Sequence, residues 1–268
     1  MNSYANERLS LKGNGIILAI LAAMAMMVMF IEIMLVPALP HIAMEYAQDS
    51  EWVSWVLSAY LLSGAVATLL LGRFGDIYGK KKIMMVALTI YCIGLIGCAL
   101  SWSMGSLIAF RAVQGVGMGV FVLAFGIIRD TFPARQIPVA IGLISAMFSV
   151  GVSIGLLGGG FIVSHLSWRD AFYIVVPLMI VLTFLVWRLI KDPNEVRRKE
   201  SVDFPGALLV SGGVLSLLLA LQQGQEWGWT DIKILGLLAA SAALFMAFVG
   251  WEVKGTTTPI VSIKLMRV

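Results

Sequence analysis

Eight runs of roughly 20 predominantly apolar residues constrain this chain more than any motif does; they cover residues 15–36, 52–71, 83–100, 106–128, 139–163, 172–190, 204–221 and 232–251. A hydrocarbon layer about 30 Å thick is crossed by about 20 residues of helix. Inside that layer the backbone must satisfy its own hydrogen bonds, so runs this long and apolar are read as transmembrane helices rather than strands. The expected class is an all-α polytopic membrane protein. Composition agrees: 13% of the 268 residues are charged, against about a quarter in soluble domains. The first run is longer than the core of a signal peptide, about 7–15 residues, and is read as a retained span.

Lysine and arginine in the connecting segments set the orientation. Of the 19 such residues, all but Arg111, Arg169 and Lys233 fall on the side of the N-terminus. Both termini are therefore expected in the cytoplasm, with the chain crossing the cell (inner) membrane many times. The net charge of +4 then faces an anionic leaflet, and no nucleic-acid partner is implied. Trp52, Trp55, Trp102, Trp168, Trp227, Trp229 and Trp251 lie near the expected span ends, where aromatic anchors belong. The longest internal polar stretch, KDPNEVRRKESVD, divides the chain into residues 1–190 with six spans, a cytoplasmic linker at 191–203, and residues 204–268 with two further spans and a cytoplasmic tail.

Several chemistries lack the residues they need. The segment GDIYGKK has neither the spacing nor the Ser or Thr of a phosphate-binding loop. His41 and His165 are read as solvated residues of separate outer loops, without ligand partners at metal spacing. Cys92 and Cys98 share one apolar run and read as small buried side chains. No charge ring or filter suggests a channel. No enzyme activity, metal or cofactor is expected.

Four features carry candidate chemistry. Between spans 2 and 3 lies GRFGDIYGKKK, residues 72–82, in which glycines permit a tight turn and Asp76 is the single acid among basic residues. A basic loop that only sets topology would explain the charge but not the particular spacing of Gly72, Asp76, Gly79 and Lys80. In span 4, Arg111 is the one basic residue deep within a run, about 10 Å from its outer end at 1.5 Å per residue; such residues mark functional sites by default, and snorkelling is the plainer alternative. In span 1, Glu32 is the one carboxylate well inside a run, about 10 Å below an outer end marked by Pro37 and Pro40. Low dielectric favours a neutral carboxylate and a nearby cation favours a charged one. If spans 1 and 4 are neighbours, Glu32 and Arg111 form either a proton switch or a static pair. In span 5, Gly151, Gly155 and Gly159 share one helix face, a ridge suited to close packing.

Together these segments resemble the major facilitator superfamily of transporters, and within it the first eight spans of the 14-span drug:proton antiporters. Gly72, Arg73, Asp76, Gly79 and Lys80 match the cytoplasmic loop signature, with Ile77 where a basic residue is usual. The resemblance implies a charge network that stabilises one conformation, with Lys80 as its cation and Asp130 as the acidic partner. Arg111, Gln114 and Gly115, in RAVQGVG, match a signature whose arginine is tied to proton coupling. Glu32 precedes a run ending in ALP, one position from the acid many drug exporters carry. Gly151, Gly155, Gly158 and Gly159 look like the antiporter signature, with Leu156 in place of its proline. VDFPGALL and QEWGWT resemble the seventh and eighth helices, and PIVSIKLMR resembles the segment before the ninth.

The resemblance implies a six-helix major-facilitator-type bundle followed by two further transmembrane helices. It implies secondary active transport, with proton-coupled efflux of amphipathic drugs or toxic small molecules. The implied partners are a small amphipathic substrate, protons and the lipid bilayer. Spans rich in Met and Phe suit a pliable, weakly selective pocket. Symport of a small metabolite and a non-transporting membrane scaffold remain open alternatives. The family works with two bundles, so the chain is expected to be a truncated or partial transporter. A missing C-terminal half or a second chain would complete it, unless eight spans assemble independently.

Overall fold

The computed structural model describes residues 2–190 and 203–253, with side chains from Asn14 onward except those of Ser50 and Glu51. Every expected span is helical. They are α1 (Asn2–Tyr46), α2 (Ser50–Tyr78) and α3 (Lys80–Ala99), then α4 (Met104–Gln114) and α5 (Gly119–Thr131), which together make the fourth span, and then α6 (Ile137–His165), α7 (Trp168–Leu189), α8 (Phe204–Trp227) and α9 (Ile232–Val253). Among the described residues, eight helical stretches are long and apolar enough to cross a bilayer. The linker at 191–202 and the tail at 254–268 lie outside the described residues, as does the PIVSIKLMR segment.

Three local expectations change. First, α1 does not end at its prolines. It continues through Pro37 and Pro40 to Tyr46, because flanking helices bury Ala38 and Ile42 completely and packing of this kind lets a membrane helix tolerate proline. Second, the GRFGDIYG segment is not a loop. It forms the last two turns of α2, and only Gly79, at φ +101°, makes the turn into α3. Gly72 and Gly75 instead let α5 approach: an added Cβ at Gly72 would stand 3.1 Å from Val122. Third, the fourth span tightens into a 3-10 turn at Gly115–Met118, where Gly115 seats on the α2 backbone and Gly117 on the Tyr91 ring.

The packing carries a symmetry that the sequence conceals. The first span packs on the fifth (α1 on α6), and the second on the fourth (α2 on α4 and α5). The third packs on the fourth (α3 on α4), and the first on the sixth (α1 on α7). The third and sixth (α3 and α7) pack on each other. Exchanging spans 1, 2 and 3 with spans 4, 5 and 6 maps this pattern onto itself. Equivalent spans cross in opposite directions, the arrangement of inverted three-helix repeats. The glycine ridge makes the α1–α6 contact: a Cβ at Gly155 or Gly159 would stand 2.7 Å from the carbonyl of Phe30 or Met34, respectively. Helices that close gain van der Waals contact, which drives association in lipid.

A polar cluster ties α1, α3 and α7 together at the end of the bundle where α1 terminates. Arg169 donates to Glu45 at 2.5 Å, to the Tyr46 hydroxyl at 2.7 Å and to the Ser101 carbonyl at 3.1 Å. Trp168 begins α7, at a span end as expected; it is buried and donates its indole N–H to Glu45 at 2.7 Å. His41 and His165 are not in loops: His41 lies within α1, and His165 ends α6, stacked on Phe161. The pair α8–α9 packs as a hairpin, with the Ser241 hydroxyl donating to the Gly213 carbonyl at 2.8 Å. It docks on α2, where Gln222 donates to the Ser58 hydroxyl at 2.5 Å. Asp203 accepts from the Gly206 amide and the Trp251 indole, both at 3.0 Å, closing the hairpin at its other end.

Candidate transport site

Arg111 is fully buried. Placing a cation at the centre of a span costs about 2.5–3.5 kcal/mol on insertion scales, so its contacts must offset that cost. Its Nε donates to the Val56 carbonyl at 3.1 Å, its Nη1 donates to Gln114 Oε1 at 3.0 Å, and its guanidinium lies 4.3 Å from the centroid of the Tyr60 ring. The planar fork suits two directed bonds and a stacked ring at once, which an ammonium does not. Gln114 sits one helical turn along, is fully buried, and also accepts from the Cys98 thiol at 3.6 Å.

Glu32 of span 1 interacts electrostatically with Arg111 of span 4, and Tyr60 of α2 interacts with both. Spans 1 and 4 also touch along α1 and α5. Because α1 runs on to Tyr46, Glu32 lies about 21 Å from that helix end at 1.5 Å per residue. Tyr91 of α3 adds a second fully buried phenol. Four spans thus contribute to one polar centre in an apolar bundle. Among the described residues, five of its atoms are buried without a well-formed hydrogen bond: Glu32 Oε2, Tyr60 Oη, Tyr91 Oη, Arg111 Nη2 and Gln114 Nε2. Each such group costs about 1–3 kcal/mol relative to a satisfied one, so the centre holds unused bonding capacity.

The GRFGDIYGKKK motif closes a separate network. Lys80 Nζ stands 2.7 Å from Asp130 and 3.6 Å from Asp76. The Lys80 side chain crosses α5 over Gly126, where an added Cβ would stand 2.7 Å from its Cδ and Cε. Gly126 therefore opens the path by which Lys80 reaches Asp130. Arg73 is half-buried on α2, and Gly79 makes the turn. On α6, Gly151, Gly155 and Gly159 are buried against the stretch of α1 that bears Glu32, and Gly158 meets the edge of the Phe30 ring. The structure brings Glu32, Arg111 and Gln114 into one centre. It holds Asp76, Lys80 and Asp130 in another, at the end of the bundle opposite the Arg169 cluster.

Tyr60, Tyr91, Val56 and Gly126 were missed in the sequence. For the tyrosines a signal existed: membrane tyrosines favour the interfaces, and these two lie in the interiors of their runs. Nothing in the sequence marked Val56, which contributes only a carbonyl.

Inverted three-helix repeats around a buried polar centre are an arrangement found in secondary transporters. The chain belongs to the Major Facilitator Superfamily, whose family model matches residues 18–265. It is 32% identical over 216 residues to "Multidrug resistance protein 3" of Bacillus subtilis, covering 80% of this chain and 42% of that protein. It is 30% identical to "Tetracenomycin C resistance and export protein" of Streptomyces glaucescens, covering 80% of this chain and 40% of that one. Among solved structures, a human organic anion transporter superposes with a TM-score of 0.63 at 15% identity, covering 75% of this chain and 54% of that chain. A transporter of the POT family, PepTSo, gives 0.61 at 19% identity, covering 87% and 52%. The structural likenesses establish the fold. The chain spans about two fifths of the length of these two curated relatives.

Proposed function

We propose that this chain forms the proton-coupling half of an exporter of small amphipathic compounds and works with a second bundle. The observation that carries this reading is the buried centre in which Tyr60 links Glu32 to Arg111. A proton arriving from outside neutralises Glu32, and its attraction to Arg111 is lost. Arg111 then relies on Val56, Gln114 and the Tyr60 ring. That change in charge biases the bundle between two arrangements, and export of substrate is coupled to the return of the proton to the cytoplasm. Lys80, Asp76 and Asp130 hold the inner end in one of those arrangements. Relatives whose names refer to multidrug resistance and export support an efflux direction. Both termini face the cytoplasm in this reading, which follows the distribution of basic residues.

Everted membrane vesicles containing the protein with its second bundle test the reading. An imposed pH gradient, acid inside, drives uptake of a fluorescent amphipathic cation, and a proton–potassium exchanger that collapses the gradient stops it. Uptake that persists after collapse excludes proton coupling.

A further inference from the structure

A cavity of about 420 Å³ opens between the start of α1 and the turn joining α5 to α6. Its size falls within the range of small-molecule sites, about 300–1,000 Å³. It is lined by Asn14, Leu18, Phe132, Arg135, Gln136 and Val139, among others, and among the described residues no carboxylate lines it. We propose that it binds the phosphodiester headgroup of an anionic phospholipid.

Three observations converge on that ligand. Arg135 is exposed and has no ion pair or hydrogen bond among the described residues; the nearby Asp130 is engaged by Lys80 instead. The 29-residue helix α6 begins at this cavity, and its N-cap Gln136 makes no capping bond with its side chain. Pro138 has no N–H, so the amides of Ile137 and Val139, with the positive dipole end, are what the first turn offers an anion. Asn14 lines the cavity at 8% exposure, and its side chain has no hydrogen-bond partner among the described residues. A buried amide of this kind donates well to a phosphate oxygen.

The remaining walls select a lipid over a free anion. Leu18, Phe132 and Val139 are apolar, and Val139 is 72% exposed at the mouth. Inorganic phosphate gains nothing from such walls, whereas the glycerol and first acyl carbons of a phospholipid do. The site lies at the end of the bundle that carries the basic residues, where an anionic leaflet is expected. It is separate from the buried polar centre.

Native mass spectrometry of the purified chain, titrated with phosphatidylglycerol in neutral detergent, reads the site directly. One lipid binds preferentially over phosphatidylcholine. Arg135→Gln weakens phosphatidylglycerol by about fivefold, the contribution of one interfacial cation, and Arg135→Lys restores much of it. Val139→Trp, at an exposed position that tolerates the change, blocks the mouth and weakens binding as well. Arg129→Gln, at an exposed arginine of the same end that does not line the cavity, leaves binding unchanged. Equal losses from Arg129→Gln and Arg135→Gln would show general surface attraction and overturn the proposal. So would wild-type binding by Val139→Trp, or displacement of the lipid by equimolar glycerol 3-phosphate.

Discussion

Arg111 and Glu32 stand out in the sequence because a charge inside an apolar run is rare and expensive. What joins them does not stand out. Tyr60 is one of several aromatics in apolar runs, and only helix packing brings its ring to Arg111 and its hydroxyl into the field of Glu32. The two parts of Tyr60 are separable by substitution. Tyr60→Phe keeps the ring under the guanidinium and removes the hydroxyl that interacts with Glu32. Proton-linked uptake is expected to fall about tenfold, the size of one hydrogen bond to a charged group, while the fold, held by the ring and its packing, persists. Arg111→Lys is expected to lose more, because an ammonium does not reproduce the two directed bonds and the stacked ring together. Lys80→Ala is a contrasting case. Its partner Asp130 is 38% exposed, so solvent screens the pair and the loss of stability is expected to stay below about 1 kcal/mol. Transport is expected to fall further than stability if, as proposed, the pair holds one arrangement of this end of the bundle.

At the scale of elements, the eight spans are legible because apolar length is nearly sufficient for a membrane helix. Their ends are less so. Proline ordinarily terminates a helix, yet α1 continues past Pro37 and Pro40 where neighbouring helices bury it. Glycine has two uses that sequence does not separate. At Gly79 it supplies a positive φ for a turn, and at Gly75, Gly126 and Gly155 it supplies room. Substitution separates them. Gly155→Leu must push α1 from α6 against the Phe30 carbonyl, and an overpacking loss of about 1–3 kcal/mol is expected in thermal unfolding. Gly160→Ala meets nothing within 4 Å and is expected to be neutral. The ridge reads in the sequence as suited to close packing, and within this chain it packs on α1.

At the scale of the molecule, the inverted repeats leave only a faint echo in the sequence, LLLGRF of span 2 against LGGGF of span 5. The symmetry lies in which helices touch, and apolar faces of many sequences satisfy that pattern equally well. Orientation is the clearest whole-molecule expectation from charge, and it is open to direct labelling. Cys92 and Cys98 are buried, so an impermeant maleimide reports on introduced cysteines. Thr230→Cys is expected to label in intact cells, and Lys82→Cys only after the membrane is opened. The central claim is that the Glu32 centre moves the proton. Its most direct measurement is substrate-driven dissipation of an imposed pH gradient in everted vesicles, followed with a pH-sensitive dye, for wild type beside Glu32→Gln. Wild type is expected to release the gradient when substrate is added, and Glu32→Gln to hold it although substrate still binds. Equal dissipation by the two proteins would contradict the account.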